Sequence, residues 1–159
     1  MKKNYFDYIL NPLQLLHTKK VLHVNPTAPP QRVEPAFSSL KVYEYDKDNY
    51  EMKVLNKVEE SFPFLDSPHF TWIDVGGLRA EDVEKIGEHY QVHPLIMEDI
   101  LSIGQRPKMD EINNLVFCQL NMLHYHPKNS IVETEQVSIL LGKNFVISFQ
   151  EDPTRDPFN

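Results

Sequence analysis

Residues 115–150, LVFCQLNMLHYHPKNSIVETEQVSILLGKNFVISFQ, decide the fold. Three stretches of this segment, residues 115–125, 132–141 and 145–150, have the apolar alternation that is typical of β-strands. Short turns at residues 126–129 and 142–144 separate the stretches, and short turns favour antiparallel pairing of consecutive strands. The segment therefore predicts a three-stranded antiparallel meander.

Two helices are predicted before the meander. Within residues 79–90, apolar side chains recur with the spacing of one helix face, while acids occupy the opposite side. A second helix is predicted over residues 94–101, because Pro94 suits the first helical position and His93 can cap it. Shorter strands are predicted over residues 41–46, 50–55 and 70–75. Helices between strands, followed by a meander, predict an α/β protein with a mixed sheet.

The first 40 residues differ in character from the rest of the chain. Residues 1–20 have a weak amphipathic pattern that Pro12 interrupts, and residues 25–35 contain four prolines. Residues 1–41 also carry a local charge of +4. We expect an N-terminal extension with a proline-rich segment over residues 1–40 and one α/β domain over residues 41–159.

Composition excludes several classes of protein. No apolar run of this 159-residue chain approaches the roughly 20 residues that a membrane-spanning helix needs. The net charge of −7 argues against a nucleic-acid partner, and a single cysteine favours a reducing, cytoplasmic compartment. The chain has no dinucleotide or phosphate loop, no nucleophile elbow and no paired-cysteine zinc spacing, so an enzyme is not predicted. We interpret His124 and His126 as the end of a strand rather than as metal ligands, and Cys118 and Trp72 as core residues.

The acids are concentrated in residues 74–99, which have a local charge of −5. A solvated helix face is one interpretation, and a surface that attracts hard cations is the other. Glu98 and Asp99 stand out, because adjacent helical residues diverge by about 100° and cannot both lie on the buried stripe. They also lie near a helix C-terminus, where the macrodipole disfavours negative charge. Either a nearby cationic side chain, Arg106 or Lys108, or a metal ion is expected to face them.

Four segments resemble the CorA family of magnesium transporters in order and spacing. Residues 93–109, HPLIMEDILSIGQRPKM, are similar to a family helix that carries Glu-Asp and leads into a strand. Residues 71–77, 135–141 and 143–151 resemble its central strand and its paired strands. One departure is Glu111, which stands where family members usually have an aromatic residue.

The resemblance implies the N-terminal cytosolic domain of a homopentamer, a three-layer α/β/α sandwich whose sheet ends in the meander. The stalk, the two membrane helices and the Gly-Met-Asn pore motif of the family are absent from this chain, which we expect to be a fragment on the cytoplasmic side of the cell membrane. Any contact with the membrane is expected only through those missing C-terminal helices.

The resemblance also implies site residues. Asp99 matches the principal divalent-cation carboxylate of the family, and Glu98 matches its neighbour. The expected ligand is regulatory Mg²⁺, weakly bound in the fragment, or Co²⁺. Two alternatives are the cytosolic domain of a zinc-transporting branch of the same superfamily and a stand-alone soluble cation-binding module. A metal-dependent hydrolase would need convergent His and Asp ligands, which this spacing does not supply.

Overall fold

Seven strands form one mixed sheet in the computed structural model, which describes residues 32–155. The strands are β1 (Ser39–Tyr45), β2 (Tyr50–Leu55), β3 (Phe70–Gly76), β4 (Lys108–Ile112), β5 (Leu115–His126), β6 (Ile131–Leu141) and β7 (Phe145–Gln150). The helices are a 3₁₀ helix (Val58–Asp66), α1 (Ala80–His89) and α2 (Pro94–Leu101). The predicted helical pattern over residues 1–20 and most of the proline-rich segment lie outside the described residues.

The sheet has the strand order β2-β1-β3-β7-β6-β5-β4. Strand β1 pairs antiparallel with both β2 and β3, and β4 to β7 pair antiparallel in sequence order. A parallel pair, β3–β7, joins these two blocks and places Ile73 opposite Ile147. The predicted mixed sheet and its antiparallel meander are confirmed.

One face of the sheet carries the hydrophobic core. Val42, Ile73, Phe117, Leu140 and Ile147 point to this face and are each at most 1% exposed. Both α-helices and the 3₁₀ helix pack on them; their core side chains are Val58, Val83, Ile86, Ile96 and Ile100. Burying each such side chain contributes about 1.5–3 kcal/mol to the free energy of folding. The α/β class is confirmed. The helices of residues 32–155 all lie on this one face, so the second helical layer of the expected α/β/α sandwich is not found within these residues.

The opposite face of the sheet is more polar at its centre. Trp72 is only partly buried, because it alternates with Ile73 along β3 and so points away from the helices. The prediction that Trp72 is a core residue is therefore wrong. Its ring stacks on Tyr43, with 4.8 Å between centroids, and its Nε1 donates to Ser148 Oγ at 2.8 Å. Ser148 Oγ donates in turn to Asp74 Oδ1 at 2.7 Å, so this acid is buried rather than part of a charged surface.

The two helices that precede the meander pack against each other. Helix α2 has the predicted bounds, and the His93 Nδ1 atom accepts from the Leu95 amide at 3.2 Å, which confirms His93 as the cap. Helix α1 lies one residue inside its predicted limits at each end. Gly87 faces Met97, and a Cβ atom built on Gly87 would come within 1.8 Å of the Met97 sulfur. The helices can approach this closely because Gly87 has no side chain.

Candidate functional site

Glu98 and Asp99 lie in the last turn of α2. The stripe of this helix that faces the sheet consists of Ile96 and Ile100, each 1% exposed. Glu98 points to solvent, and the Asp99 side chain is 24% exposed. The two carboxylates therefore diverge, and only the Asp99 carboxylate meets the rest of the domain.

The Asp99 carboxylate forms an ion pair with Lys108, the first residue of β4. The Lys108 Nζ atom lies 2.5 Å from Asp99 Oδ2 and 3.9 Å from Asp110 Oδ2. The same ammonium lies 5.8 Å from the centroid of the Phe117 ring, a favourable cation–π distance. Of the cationic partners considered from the sequence, Lys108 is thus in contact with Asp99. A carboxylate at a helix C-terminus is destabilised by the macrodipole, and a neighbouring ammonium offsets that cost.

The main chain of Asp99 is held as well as its side chain. Its carbonyl oxygen accepts a hydrogen bond from the Gln136 side-chain Nε2 at 3.3 Å and from the Ser102 amide at 3.2 Å. Gln136 lies in β6 and is 3% exposed. The position of Asp99 is therefore set by two strands: β4 through the ion pair with Lys108, and β6 through the side-chain amide of Gln136.

Glu98 lies on an open groove at the surface of the two helices. Glu84 of α1 and Pro94, Met97 and Leu101 of α2 line the same groove. Glu84 and Glu98 are both exposed. The groove is therefore lined by apolar side chains and by two exposed carboxylates.

The other acids of residues 74–99 divide into paired and solvated groups. Asp82 is buried, where it accepts from Ser38 Oγ at 2.5 Å and lies 3.7 Å from Arg79. Lys85 bridges Glu81 and Glu59 at 2.7 and 2.8 Å, and its hydrogen bonds lower the pKa of both carboxyls. A solvated helix face thus describes part of this stretch, while Asp74 and Asp82 are internal.

Histidines occupy structural positions in the described part of the chain. His126 Nε2 lies 2.8 Å from Glu133 Oε2, and the His124 ring lies 4.5 Å from the His126 ring. His89 stacks on Phe62 at 4.0 Å between centroids. Within residues 32–155, no group of three or more His, Cys, Asp or Glu side chains is arranged to hold a metal ion. Cys118 has a free thiol and is only partly buried, because it alternates with the core residue Phe117 along β5, so the prediction that it is a core residue is wrong.

The end of β7 carries a further cluster of charged residues, which the sequence did not single out. The backbone amide of Gln136 donates to Glu151 Oε1 at 2.7 Å, and the backbone amide of Asp152 donates to Glu135 Oε1 at 3.0 Å. Arg155 donates to Glu135 Oε2 at 3.4 Å and to Glu133 Oε2 at 3.1 Å. Burial raises the pKa of Glu151, and the nearby Glu135 carboxylate adds to this rise, against the hydrogen bond from Gln136.

Comparison with known proteins places this domain in a family. A family model described as "CorA-like Mg2+ transporter protein" matches residues 67–156, more than half of the chain. The chain belongs to the CorA-like Mg²⁺ transporter family. The cobalt/magnesium transport protein CorA of Thermotoga maritima is 39% identical over 124 residues, which are 74% of this chain and 35% of that protein. The putative metal ion transporter YfjQ of Bacillus subtilis is 31% identical over 78 residues, which are 49% of this chain and 23% of that protein.

Two solved structures have the same fold as this CorA-family domain. The cytoplasmic domain of ZntB from Vibrio parahaemolyticus has a TM-score of 0.51 at 12% identity, over 75% of this chain and 46% of that chain. The soluble domain of CorA from Methanocaldococcus jannaschii has a TM-score of 0.50 at 11% identity, over 76% of this chain and 42% of that chain. At these identities the likeness concerns the fold alone.

The CorA-family chain spans about a third of the length of its Thermotoga relative, 35%. Within residues 32–155, no helix has the length and apolar character required to cross a bilayer.

Proposed function

We propose that this chain is the cytosolic regulatory domain of a CorA-type divalent-cation transporter for magnesium and cobalt. Membership of the family supports the transport assignment, and the Thermotoga relative is named a cobalt/magnesium transport protein. One observation carries the sensing role. Asp99 presents a partly buried carboxylate at the surface of α2, and a cationic side chain, the Lys108 ammonium, is bound to it.

In this proposal Lys108 and a divalent cation compete for Asp99. Mg²⁺ is coordinated by one or two carboxylates and keeps several water molecules, so Asp99 with Glu98 beside it provides suitable donor chemistry. When the cation is scarce, the ammonium satisfies Asp99. When the cation is abundant, it replaces the ammonium, and Lys108 keeps a partner in Asp110, 3.9 Å away.

The sensing step is proposed to act between subunits of a homopentamer on the cytoplasmic side of the membrane. A bound cation bridges Asp99 and Glu98 to acids of the neighbouring subunit and holds the closed assembly together. When cytosolic Mg²⁺ falls, the bridge between subunits is lost, because Lys108 then pairs with Asp99 within its own subunit. Glu98 and the facing acids are no longer held together by a cation, so the interface loosens and the pore opens. The pore itself belongs to parts of the transporter outside this chain.

The proposal is tested by adding MgCl₂ to the 159-residue chain and following backbone amide signals by NMR. We expect saturable shifts at Glu98 and Asp99 with a dissociation constant of about 1 mM. Asp99→Asn should abolish these shifts. The matched control is Asp48→Asn, which makes the same change of charge in the exposed turn between β1 and β2 and should leave the titration unaltered. Submicromolar affinity, or an unchanged titration with Asp99→Asn, would contradict the proposal.

Competition by Lys108 has its own test. Lys108→Met should strengthen Mg²⁺ binding about two- to fivefold, because a partly exposed ion pair contributes about 0.5–1 kcal/mol. Lys53→Met is the control, since Lys53 pairs with Glu44 and Glu51 at the β2 edge of the sheet, the edge opposite β4. Equal effects of the two substitutions would rule out competition at Asp99.

A second candidate function is the corresponding domain of a zinc transporter, because the ZntB cytoplasmic domain has the same fold and the fold alone does not separate the two cations. Zn²⁺ prefers nitrogen and sulfur ligands, whereas Asp99 and Glu98 offer carboxylate oxygens. The same NMR titration with ZnCl₂ separates the two. A zinc sensor would saturate with Zn²⁺ at lower concentrations than with Mg²⁺ and would do so at Asp99.

A further inference from the structure

We propose that Gln136 is a positioning residue that couples Asp99 to residues 151–155, the segment through which the chain leaves the sheet. The importance of this coupling for cation sensing rests on the proposed function of Asp99. The coupling itself is a property of the domain and is testable without a metal ion.

The first link joins α2 to β6. Gln136 Nε2 donates to the Asp99 carbonyl oxygen at 3.3 Å, across 37 residues of sequence. This oxygen is near the end of α2, where the last carbonyl groups have no partner within the helix. A displacement of the last turn of α2 therefore changes the hydrogen bond that the Gln136 side chain donates.

The second link joins the same residue of β6 to the chain after β7. The β6–β7 ladder ends at the pair formed by Val137 and Gln150. One residue further, the backbone amide of Gln136 donates to the Glu151 carboxylate at 2.7 Å instead of to a backbone carbonyl. The Asp152 amide donates to the Glu135 carboxylate at 3.0 Å in return. Two side chains thus continue the ladder where the backbone pairing stops.

Further charged groups hold the segment after β7, and one of them also uses Glu135 as an acceptor. Arg155 reaches both Glu135, at 3.4 Å, and Glu133, at 3.1 Å. Asp152 accepts from the Thr154 amide at 2.9 Å, which shapes the turn between them. A shift of Gln136 along β6 changes its contact with Glu151 and so the position of the whole segment.

The burial of Gln136 supports a role beyond packing. Its Oε1 atom is buried and has no hydrogen-bond partner among the described residues, and the same holds for both amide atoms of Gln119, its diagonal neighbour in β5. Buried amides without partners destabilise a fold, and an apolar side chain of the same length would avoid the cost. The side-chain amide of Gln136 contacts the Asp99 carbonyl oxygen. Among the described residues, no such contact is found for the side-chain amide of Gln119.

A double-mutant cycle read by NMR tests the coupling in the 159-residue chain. Lys108→Met removes the cationic partner of Asp99, and the amide signals of Asp152 and Thr154 report on the segment after β7. We expect Lys108→Met to shift both signals in the native background and to leave them unshifted in the presence of Gln136→Met. Gln119→Met makes the same substitution at the diagonal position and should preserve the shifts.

Two results would overturn the coupling: no response of Asp152 and Thr154 to Lys108→Met, or the same response with and without Gln136→Met. If Gln136→Met fails to fold, Glu151→Ala replaces it, because it cuts the second link and should abolish the response equally. Repeating the cycle with MgCl₂ in place of Lys108→Met keeps the two proposals apart. A chain that shows no Mg²⁺ shift at Asp99 contradicts the cation site, and the Lys108 cycle still decides the coupling.

Discussion

Three aspartates of the acidic stretch illustrate how far one residue type can differ in its surroundings. Asp74 is buried beside Ser148, Asp82 is buried beside Ser38 and Arg79, and Asp99 is partly exposed beside Lys108. Composition counts all three as equal negative charges. Their partners lie up to 74 residues away in sequence, so only the folded chain distinguishes structural acids from one that a cation can reach.

Glu151 supplies a prediction about pH. Burial first, and then the Glu135 carboxylate, raise its pKa in the folded chain above the ordinary 4.5. The folded state therefore binds a proton more readily than the unfolded state, and Glu151 makes the free energy of unfolding fall as pH rises from 4.5 through the folded-state pKa. Glu151→Gln keeps an oxygen acceptor for the Gln136 amide and removes the charge.

We expect Glu151→Gln to raise the free energy of unfolding at pH 8 and to make little difference at pH 4. Urea unfolding over a pH series measures both values. A variant that is less stable than the native chain at pH 8 would show that the hydrogen bond to the ionised carboxylate outweighs its burial.

At the scale of elements, the contact between α1 and α2 positions the candidate site, because α2 carries Glu98 and Asp99. Gly87→Val places a branched side chain against Met97 and should lower the free energy of unfolding by about 1–3 kcal/mol, the usual cost of overpacking. Combining it with Met97→Ala should restore part of that loss. Urea unfolding of the single and double variants measures these free energies. If the loss in the double variant equals the sum of the two single losses, the packing account is contradicted.

The elements also show what sequence patterns can and cannot predict. Helix α2 was predictable to the residue because Pro94 and the capping side chain of His93 mark its start. The 3₁₀ helix was not predicted, since its sequence, VEESFPFLD, contains Pro63 and has no clear helical period. Trp72 was predicted to be a core residue, but strand alternation places it on the face opposite Ile73.

The candidate site was only partly predictable, because some of its features follow from local geometry and others from tertiary contacts. The divergence of Glu98 and Asp99 follows from helix geometry, and a cationic neighbour was one of the alternatives. Gln136 has no local signal, because its contact with Asp99 depends on how α2 packs against β6. Tertiary contacts of this kind are not encoded in any short pattern.

At the scale of the whole molecule, the chain matches about a third of the length of its Thermotoga relative. In the proposed assembly, the stalk and membrane helices outside this chain provide most of the contacts between subunits. We therefore expect the 159-residue chain to be monomeric, with a mass of 18.6 kDa in light scattering. A stable species of five times that mass would show that this domain assembles by itself.

The arrangement of the sheet has a consequence for the order in which the protein folds. Strands β4 to β7 pair only with their neighbours in sequence, and in the other antiparallel block β1 pairs with β2 and, past β2, with β3. Pairings within each block are short-range, and short-range pairings have a low entropic cost of closure. The β3–β7 pair instead joins Ile73 to Ile147, whose separation is 74 residues, with both α-helices in between. Because non-local pairings slow folding, each block can form early, and the union of the two blocks is the expected rate-limiting step.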